Sequence, residues 1–204
     1  MPQNTKDRRV RRTRKLLHQA LRELMAEKRY DSITVQDILD QADVGRTTFY
    51  AHYQDKEDLA TSMLIELMDR LIAAVDESDL PKQPVYPTHI LFNHIEENHE
   101  IFKGMMRGRG MELFMEKGKQ FWAERIEARL RSLQAAVQDT GVPIQLIAGA
   151  TAGAYLIQLK WWLDNDLPYS AEEMAQYADR LILPGVFAAL GIDQPTQASD
   201  DSQE

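Results

Sequence analysis

The chain has 204 residues, 44% of them hydrophobic and 27% charged, with a formal net charge of −8 and no cysteine. That composition suits a globular protein with a sizeable core, as one domain or two. It excludes disulfides and thiolate metal sites, and with no apolar run of about 18 residues no transmembrane helix is expected.

The charge is unevenly placed. Residues 1–15 carry Lys6, Arg8, Arg9, Arg11, Arg12, Arg14 and Lys15 against Asp7 alone. Residues 1–58 hold 12 basic and 10 acidic side chains, and the remainder 12 and 22. A cationic arm before an acidic body is the distribution of a modular DNA binder, which makes Arg8 and Arg9 candidate phosphate contacts. No apolar segment follows the basic N-terminus, so it does not read as a secretory signal, and the protein is expected in the cytoplasm.

Apolar residues recur at three and four, so every element reads as helix. A first helix is expected over about residues 7–28, with Leu17, Ala20, Leu21 and Leu24 on one side and Tyr30 and Ile33 closing the small core. Thr34 is an N-cap, and Asp37 three residues later completes a capping-box-like pair for a second helix, which turns Val35, Ile38, Leu39 and Ala42 inward. Ala42-Asp43-Val44 makes a tight turn. Gly45 opens a third helix whose outer side carries Arg46, Thr47, Thr48, Tyr50 and His52, while Phe49 and Tyr53 read as core. Two short helices so joined form a helix-turn-helix, whose second helix lies in the major groove with its N-terminal residues over the base edges.

Asp55 caps a fourth helix over about 56–76, with Leu59, Met63, Leu67, Ile72 and Val75 inward. Residues 78–87, with Pro81, Pro84 and Pro87, read as a connection. Helices over about 88–98, 101–106, 112–138 and 144–164 follow, and Gly104, Gly108 and Gly110 are expected to loosen the second of them. Ser170 with Glu173 starts the last helix, which Pro184-Gly185 should interrupt before a final turn at 186–190. The polar residues 194–204 are expected to fray. His89, His94 and His99 are spaced by five, not as the i, i+4 pair of a helical zinc site, so no metal is expected. No nucleophile elbow, phosphate-binding loop or dinucleotide fingerprint appears, so neither an enzyme nor a cofactor is expected.

The stretch from about Arg9 to Leu64 resembles the N-terminal domain of the TetR family of bacterial transcriptional regulators. Thr34-Val35-x-Asp37-Ile38, Thr48-Phe49-Tyr50-x-His52-Tyr53 and Asp55-Lys56-Glu57-Asp58-Leu59 carry the resemblance. Asp43 stands where the family commonly has a turn glycine, and Gly45 where it has a capping serine. Asp tolerates the left-handed conformation and Gly is an acceptable N-cap. The resemblance implies an all-α protein. Residues 1–55 would form a three-helix DNA-binding domain with its basic arm. A long helix would join it to a helical dimerisation and effector domain over 56–193, with a tail at 194–204. Arg46 and Thr47 become the base-reading residues, since Arg grips guanine bidentately and a Thr methyl meets that of thymine. Thr48, Tyr50, His52 and Lys56, with Thr34, become backbone contacts that fix register.

Residues 144–163 are the most apolar stretch, and Gly149, Ala150, Gly153 and Ala154 form two small-xxx-small pairs that let another helix approach closely. Ordinary burial within one subunit would also account for them. The family dimerises through its last two long helices in a four-helix bundle, which maps here to 144–163 and 170–190, with Gly149, Gly153, Leu156, Trp161 and Leu181 as interface candidates. Trp161–Pro168 followed by Ser170–Ala175 is similar to a C-terminal pattern of many members and reads as a junction between these helices. The family usually holds a small molecule inside the C-terminal domain. Candidates are Phe92, Phe102, Met105, Met106, Phe114, Met115, Phe121, Trp122 and Tyr155, although such a stripe is more often plain core. Arg107 and Arg109 face either an anionic ligand or, on the plainer reading, solvent.

The function implied is a homodimeric repressor on a palindromic operator. An effector would release it by shifting the spacing of the two recognition helices, with the fourth helix as lever. The alternative is a regulator, even an activator, whose C-terminal domain docks a partner protein.

Overall fold

The computed structural model describes residues 3–73, 88–105, 108–134 and 141–192, and its regular structure there is all helical, with no strand. The tail at 194–204, the proline-rich connection, Met106 and Arg107 lie outside the described residues. Helix α1 (Gln3–Glu27) buries Leu17, Leu21 and Met25 and exposes Arg8, Arg9, Arg11 and Arg12. It begins about four residues before the expected start and, as expected, carries Arg8 and Arg9. A 3₁₀ turn (Tyr30–Ser32) leads to α2 (Val35–Ala42). The Thr34 capping box is formed: its hydroxyl accepts the Asp37 N–H at 3.1 Å, and the Asp37 carboxylate accepts the Thr34 N–H at 2.8 Å. That backbone bond, with Lys28 at 2.9 Å, holds the Asp37 carboxyl down at about 2. Asp43 ends α2 in the left-handed conformation, φ 51°, and Gly45 precedes α3 (Arg46–Tyr50). Ile38, Leu39, Phe49 and Tyr53 fill the head, which α4 (Lys56–Ala73) closes with Leu59 and Ala60. Because α4 packs on both α1 and α7, it touches both halves of the molecule.

The body comprises α5 (Thr88–Glu97), α6 (His99–Met105), α7 (Arg109–Gln134), α8 (Ile144–Asp164) and α9 (Ala171–Leu190). α7 runs along α8, and α9 lies on α5 and α8. Ser170 and Glu173 form the capping box expected at the start of α9. At the α8–α9 junction, Trp162 is fully buried, meets Phe92 edge-on at 5.4 Å and donates its indole N–H to the Tyr169 carbonyl at 2.9 Å. The junction is therefore structural.

Two expectations fail. α9 runs unbroken through Pro184. Proline removes one helical N–H and crowds the preceding turn. Here Pro184 and Gly185 face outward, while Ile182, Val186 and Phe187 are buried on either side of them. Packing on both flanks holds the helix together.

The second failure concerns the glycines, of which Gly104 and Gly108 mark close contacts rather than looseness. A Cβ on Gly104 would sit 2.0 Å from the Met25 carbonyl oxygen of α1. Gly108, at φ +70°, would drive one to 1.9 Å from the Asp31 carboxylate. The carboxylate lies there because it accepts the Arg109 N–H at 3.2 Å, capping the start of α7 from 78 residues away. The Arg109 guanidinium, read from sequence as facing solvent or a ligand, grips Glu57 of α4 through Nε and Nη2 at 2.9 and 3.0 Å and reaches Glu112 at 3.1 Å. The head thus rests on the body through close backbone packing and a forked ion pair.

Candidate nucleic-acid interface

A helix as short as α3 cannot hold its own shape, so what lies beneath it decides where its side chains point. Phe49 is wholly buried. The Tyr50 ring packs edge-on against it at 5.3 Å and stays 53% exposed. Arg46, Thr47 and Thr48 are exposed and His52 is half-buried. The end of the motif is tied down through Tyr53. Its hydroxyl lies 3.2 Å from Arg14 Nε and 3.0 Å from His18 Nε2, while His18 Nδ1 lies 3.0 Å from the Glu66 carboxylate. Arg14 also donates to Ser62 at 2.8 Å. Glu66 can only accept and Arg14 can only donate. The proton order that follows is Arg14 to Tyr53, Tyr53 to His18, and His18 to Glu66, with a neutral imidazole. This chain joins α1, the recognition motif and α4. Sequence reading missed it, since its members are far apart and only a buried histidine opposite a tyrosine would hint at it.

Burial lowers the His18 pKa below 6.5, and Arg14 and Arg70 add to that, against the pull of Glu66. Above about pH 6.5 the ring is neutral folded or unfolded. As pH falls below that, the unfolded chain takes up the proton first, so stability declines until folded His18 protonates too. Protonation also turns Nε2 into a donor facing Tyr53. The wild type is therefore expected to lose melting temperature between pH 7 and 5.5 more steeply than His18→Gln. Parallel curves would remove His18 from this role.

Thr34 is exposed, and its hydroxyl hydrogen remains free to donate while its oxygen serves the cap. Lys56 is different. Its ammonium donates to the Tyr30 and Ile33 carbonyls at 2.8 and 2.7 Å and lies over the Tyr30 ring at 4.2 Å. Two of its three N–H donors thus hold the 3₁₀ turn, and the third is left for a phosphate oxygen.

In the body, Phe92, Phe102, Met105, Phe114, Phe121 and Tyr155 are buried, and Met115 and Trp122 pack partly buried against them. Phe102 meets Phe114 edge-on at 6.0 Å. The Tyr155 hydroxyl donates to Asp179 at 2.9 Å, as does that of Thr88. Burial raises the Asp179 pKa. A surface groove of about 580 Å³ lies elsewhere, between α1 and α4, lined by Arg14, Ser62, Glu66 and Arg70 among others. None of the sequence-read ligand candidates lines it. Of the interface candidates, Trp161 and Leu181 are 48% and 74% exposed, and a Cβ at Gly149 or Gly153 would meet nothing within 4 Å among the described residues. Leu156 is a correction: it points inward, against Gly118 of α7.

Two family models match the chain. The model described as "Bacterial regulatory proteins, tetR family" covers residues 17–63, and "Transcriptional regulator C-terminal region" covers residues 88–184. The chain belongs to the TetR family. It is a TetR-family transcriptional regulator with a helix-turn-helix head, and the first match spans the whole of α2 and α3 together with His18 and Tyr53 beneath them. A curated relative, the HTH-type transcriptional regulator YxbF of Bacillus subtilis (strain 168), is 42% identical over 73 residues. That match takes in 33% of this chain and only 19% of the relative's length. Solved structures share the fold. The dihydroxyacetone kinase operon activator DhaS superposes with a TM-score of 0.62 at 19% identity, over 85% of this chain and 96% of its own. FadR of Bacillus subtilis, solved in complex with stearoyl-CoA, superposes with a TM-score of 0.56 at 18% identity, over 83% and 97%. Among the described residues no helix is long and apolar enough to cross a membrane.

Proposed function

We propose that this TetR-family regulator is a cytoplasmic homodimeric repressor that places two copies of α3 in successive major grooves of a palindromic operator. One observation carries the reading. Arg46, Thr47, Thr48 and Tyr50 form an outward row of donors with no carboxylate among them, on a helix held from beneath by Phe49 and Tyr53. Arg46 and Thr47, at the N-terminal end, suit base edges. Thr48, Tyr50, His52 and Thr34, with Arg8 and Arg9, suit phosphates.

Dimerisation is supported by the outer face of α8. Leu146, Ala150, Gly153, Ile157 and Trp161 recur at three and four along one exposed or half-exposed side. Glycine inside a helix costs about 1 kcal/mol relative to alanine. A Cβ on Gly149 or Gly153 would meet nothing among the described residues of its own subunit, so close approach by a second helix gives these glycines a reason. A twofold dimer in turn calls for a palindromic site.

Control by a small molecule in the body is supported by the bridging position of α4 and by the stearoyl-CoA complex of FadR, a protein of the same fold. A second reading, activation on docking of a partner protein, draws support from DhaS, an operon activator of the same fold. The sign of regulation is tested with a reporter on the selected operator.

Selection from random duplex DNA, followed by salt titration of the winner, tests the core of the proposal. A palindrome bound by two subunits with a steep salt slope is the expected result. Enrichment of no site, or of a single half-site bound by one subunit, overturns it. Arg46→Ala should weaken the selected site by about 1–3 kcal/mol, roughly 5- to 150-fold, and relax one base position per half-site.

A further inference from the structure

The arrangement around Arg46 has a feature that neither the family models nor the proposed contacts assign. Arg46 is the first residue of α3, preceded by a glycine that offers no side-chain cap. An arginine fork on a long stem loses much freedom when it is fixed on a base, and that loss subtracts from recognition unless it is met beforehand. In this structure the fork is already held. Its Nη2 donates to Oε1 of Gln36 on α2 at 2.8 Å. Gln36 is held in turn, because its Nε2 donates to Oδ1 of Asp40, one helical turn on, at 2.8 Å.

We infer that Gln36 is the positioning residue for the Arg46 guanidinium, and that Asp40 fixes which way the Gln36 amide faces. The inference rests on the reading of Arg46 as a base contact.

The two ends of a glutamine amide are chemically opposite, one an acceptor and the other a double donor. A guanidinium can only donate and an ionised carboxylate can only accept. Turning the amide over would set NH2 against the guanidinium and oxygen against the carboxylate, losing both bonds at once. The chemistry of its two neighbours therefore determines its orientation. Arg46 gives one Nη2 hydrogen to Gln36. The second Nη2 hydrogen and the pair on Nη1 stay free for the N7 and O6 acceptors of a guanine. Direct base reading by Gln36, through the Nε2 hydrogen that Asp40 does not take, is the competing role.

The test compares wild type, Gln36→Ala, Gln36→Glu, Arg46→Ala and the double variant Gln36→Ala with Arg46→Ala by binding to a library in which every position of the selected operator is varied. Gln36 is exposed and alanine is the best helix former, so Gln36→Ala should fold, which a thermal melt checks. The expected result is that Gln36→Ala loses discrimination roughly 3- to 10-fold at the same base that Arg46→Ala relaxes, the effect of one hydrogen bond. The double variant should show no further loss at that base. Gln36→Glu keeps the acceptor, so it should retain the base preference while its added charge weakens binding to all sequences alike. Full discrimination in Gln36→Ala overturns the inference and leaves Arg46 as a base contact. Relaxation at a different base overturns it too, showing that Gln36 reads a base itself. An unchanged profile in Arg46→Ala removes the base-reading role, and the inference falls with it.

Discussion

Gly104→Ala is expected to destabilise the protein by about 2–3 kcal/mol and to lower its melting temperature by roughly 5–10 °C. The new Cβ would lie 2.0 Å from the Met25 carbonyl oxygen and 2.9 Å from its carbon. Both are backbone atoms at the end of α1, so no rotamer change relieves the contact. α6 would have to move away from α1 by roughly an ångström, opening the densely packed interior along that line. The same shift would disturb the neighbouring corner, where Asp31 caps α7 and Arg109 holds Glu57. Gly118→Ala is the internal comparison. Its Cβ would come 3.4 Å from the ends of Leu156 and Met68, an ordinary contact with flexible side chains. It should change the melting temperature by no more than a few degrees, of either sign, since helix propensity favours alanine. Calorimetry at matched protein concentration decides the matter. A Gly104→Ala protein that melts with wild type would show that α1 and α6 are not in rigid contact.

That comparison marks where the sequence was legible and where it was not. The helices and their starts depend on local chemistry: Thr34 with Asp37, Ser170 with Glu173, and the apolar spacing that buries Ile38, Leu39, Phe49 and Tyr53. These signals lie within one or two turns and could be read directly. Glycine carries two meanings, conformational freedom and close approach, and the letter is the same for both. Gly104 has the second because Met25, far away in the chain, happens to face it. Lys56 looks like a phosphate contact by motif, yet its ammonium also holds the carbonyls of Tyr30 and Ile33, a second task that no local signal announces. On α8, Leu156 and Ile157 are neighbours in an apolar helix. Only the packing of α7 shows that the first is buried and the second 64% exposed. The head was recognisable because its motif residues are short-range. The supports of the recognition helix, His18, Arg14 and Gln36, were not, because each acts through a partner on another helix.

Leu181→Glu should turn the proposed dimer into a monomer and reduce operator affinity by two or more orders of magnitude. Leu181 is the most exposed large apolar residue described, at 74%, so a charge there costs the isolated subunit little. Across a twofold axis the substitution enters the interface twice, and burying each unpaired carboxylate costs several kcal/mol. The second half-site contact is then no longer intramolecular, and the gain from linking two binding events, on the order of 100- to 10,000-fold, disappears. Gly149→Ala sharpens the test because its sign depends on what faces α8. With nothing there but solvent, alanine should stabilise the helix by about 0.5–1 kcal/mol. With a second helix packed on the glycine, the same methyl should weaken the dimer while leaving the monomer more stable. Sedimentation velocity gives the assembly state and operator titration the affinity. A wild-type protein that stays monomeric at tens of micromolar, or a Leu181→Glu protein that remains dimeric and binds as before, would place the subunit contact elsewhere and leave the glycines of α8 without a partner to explain them.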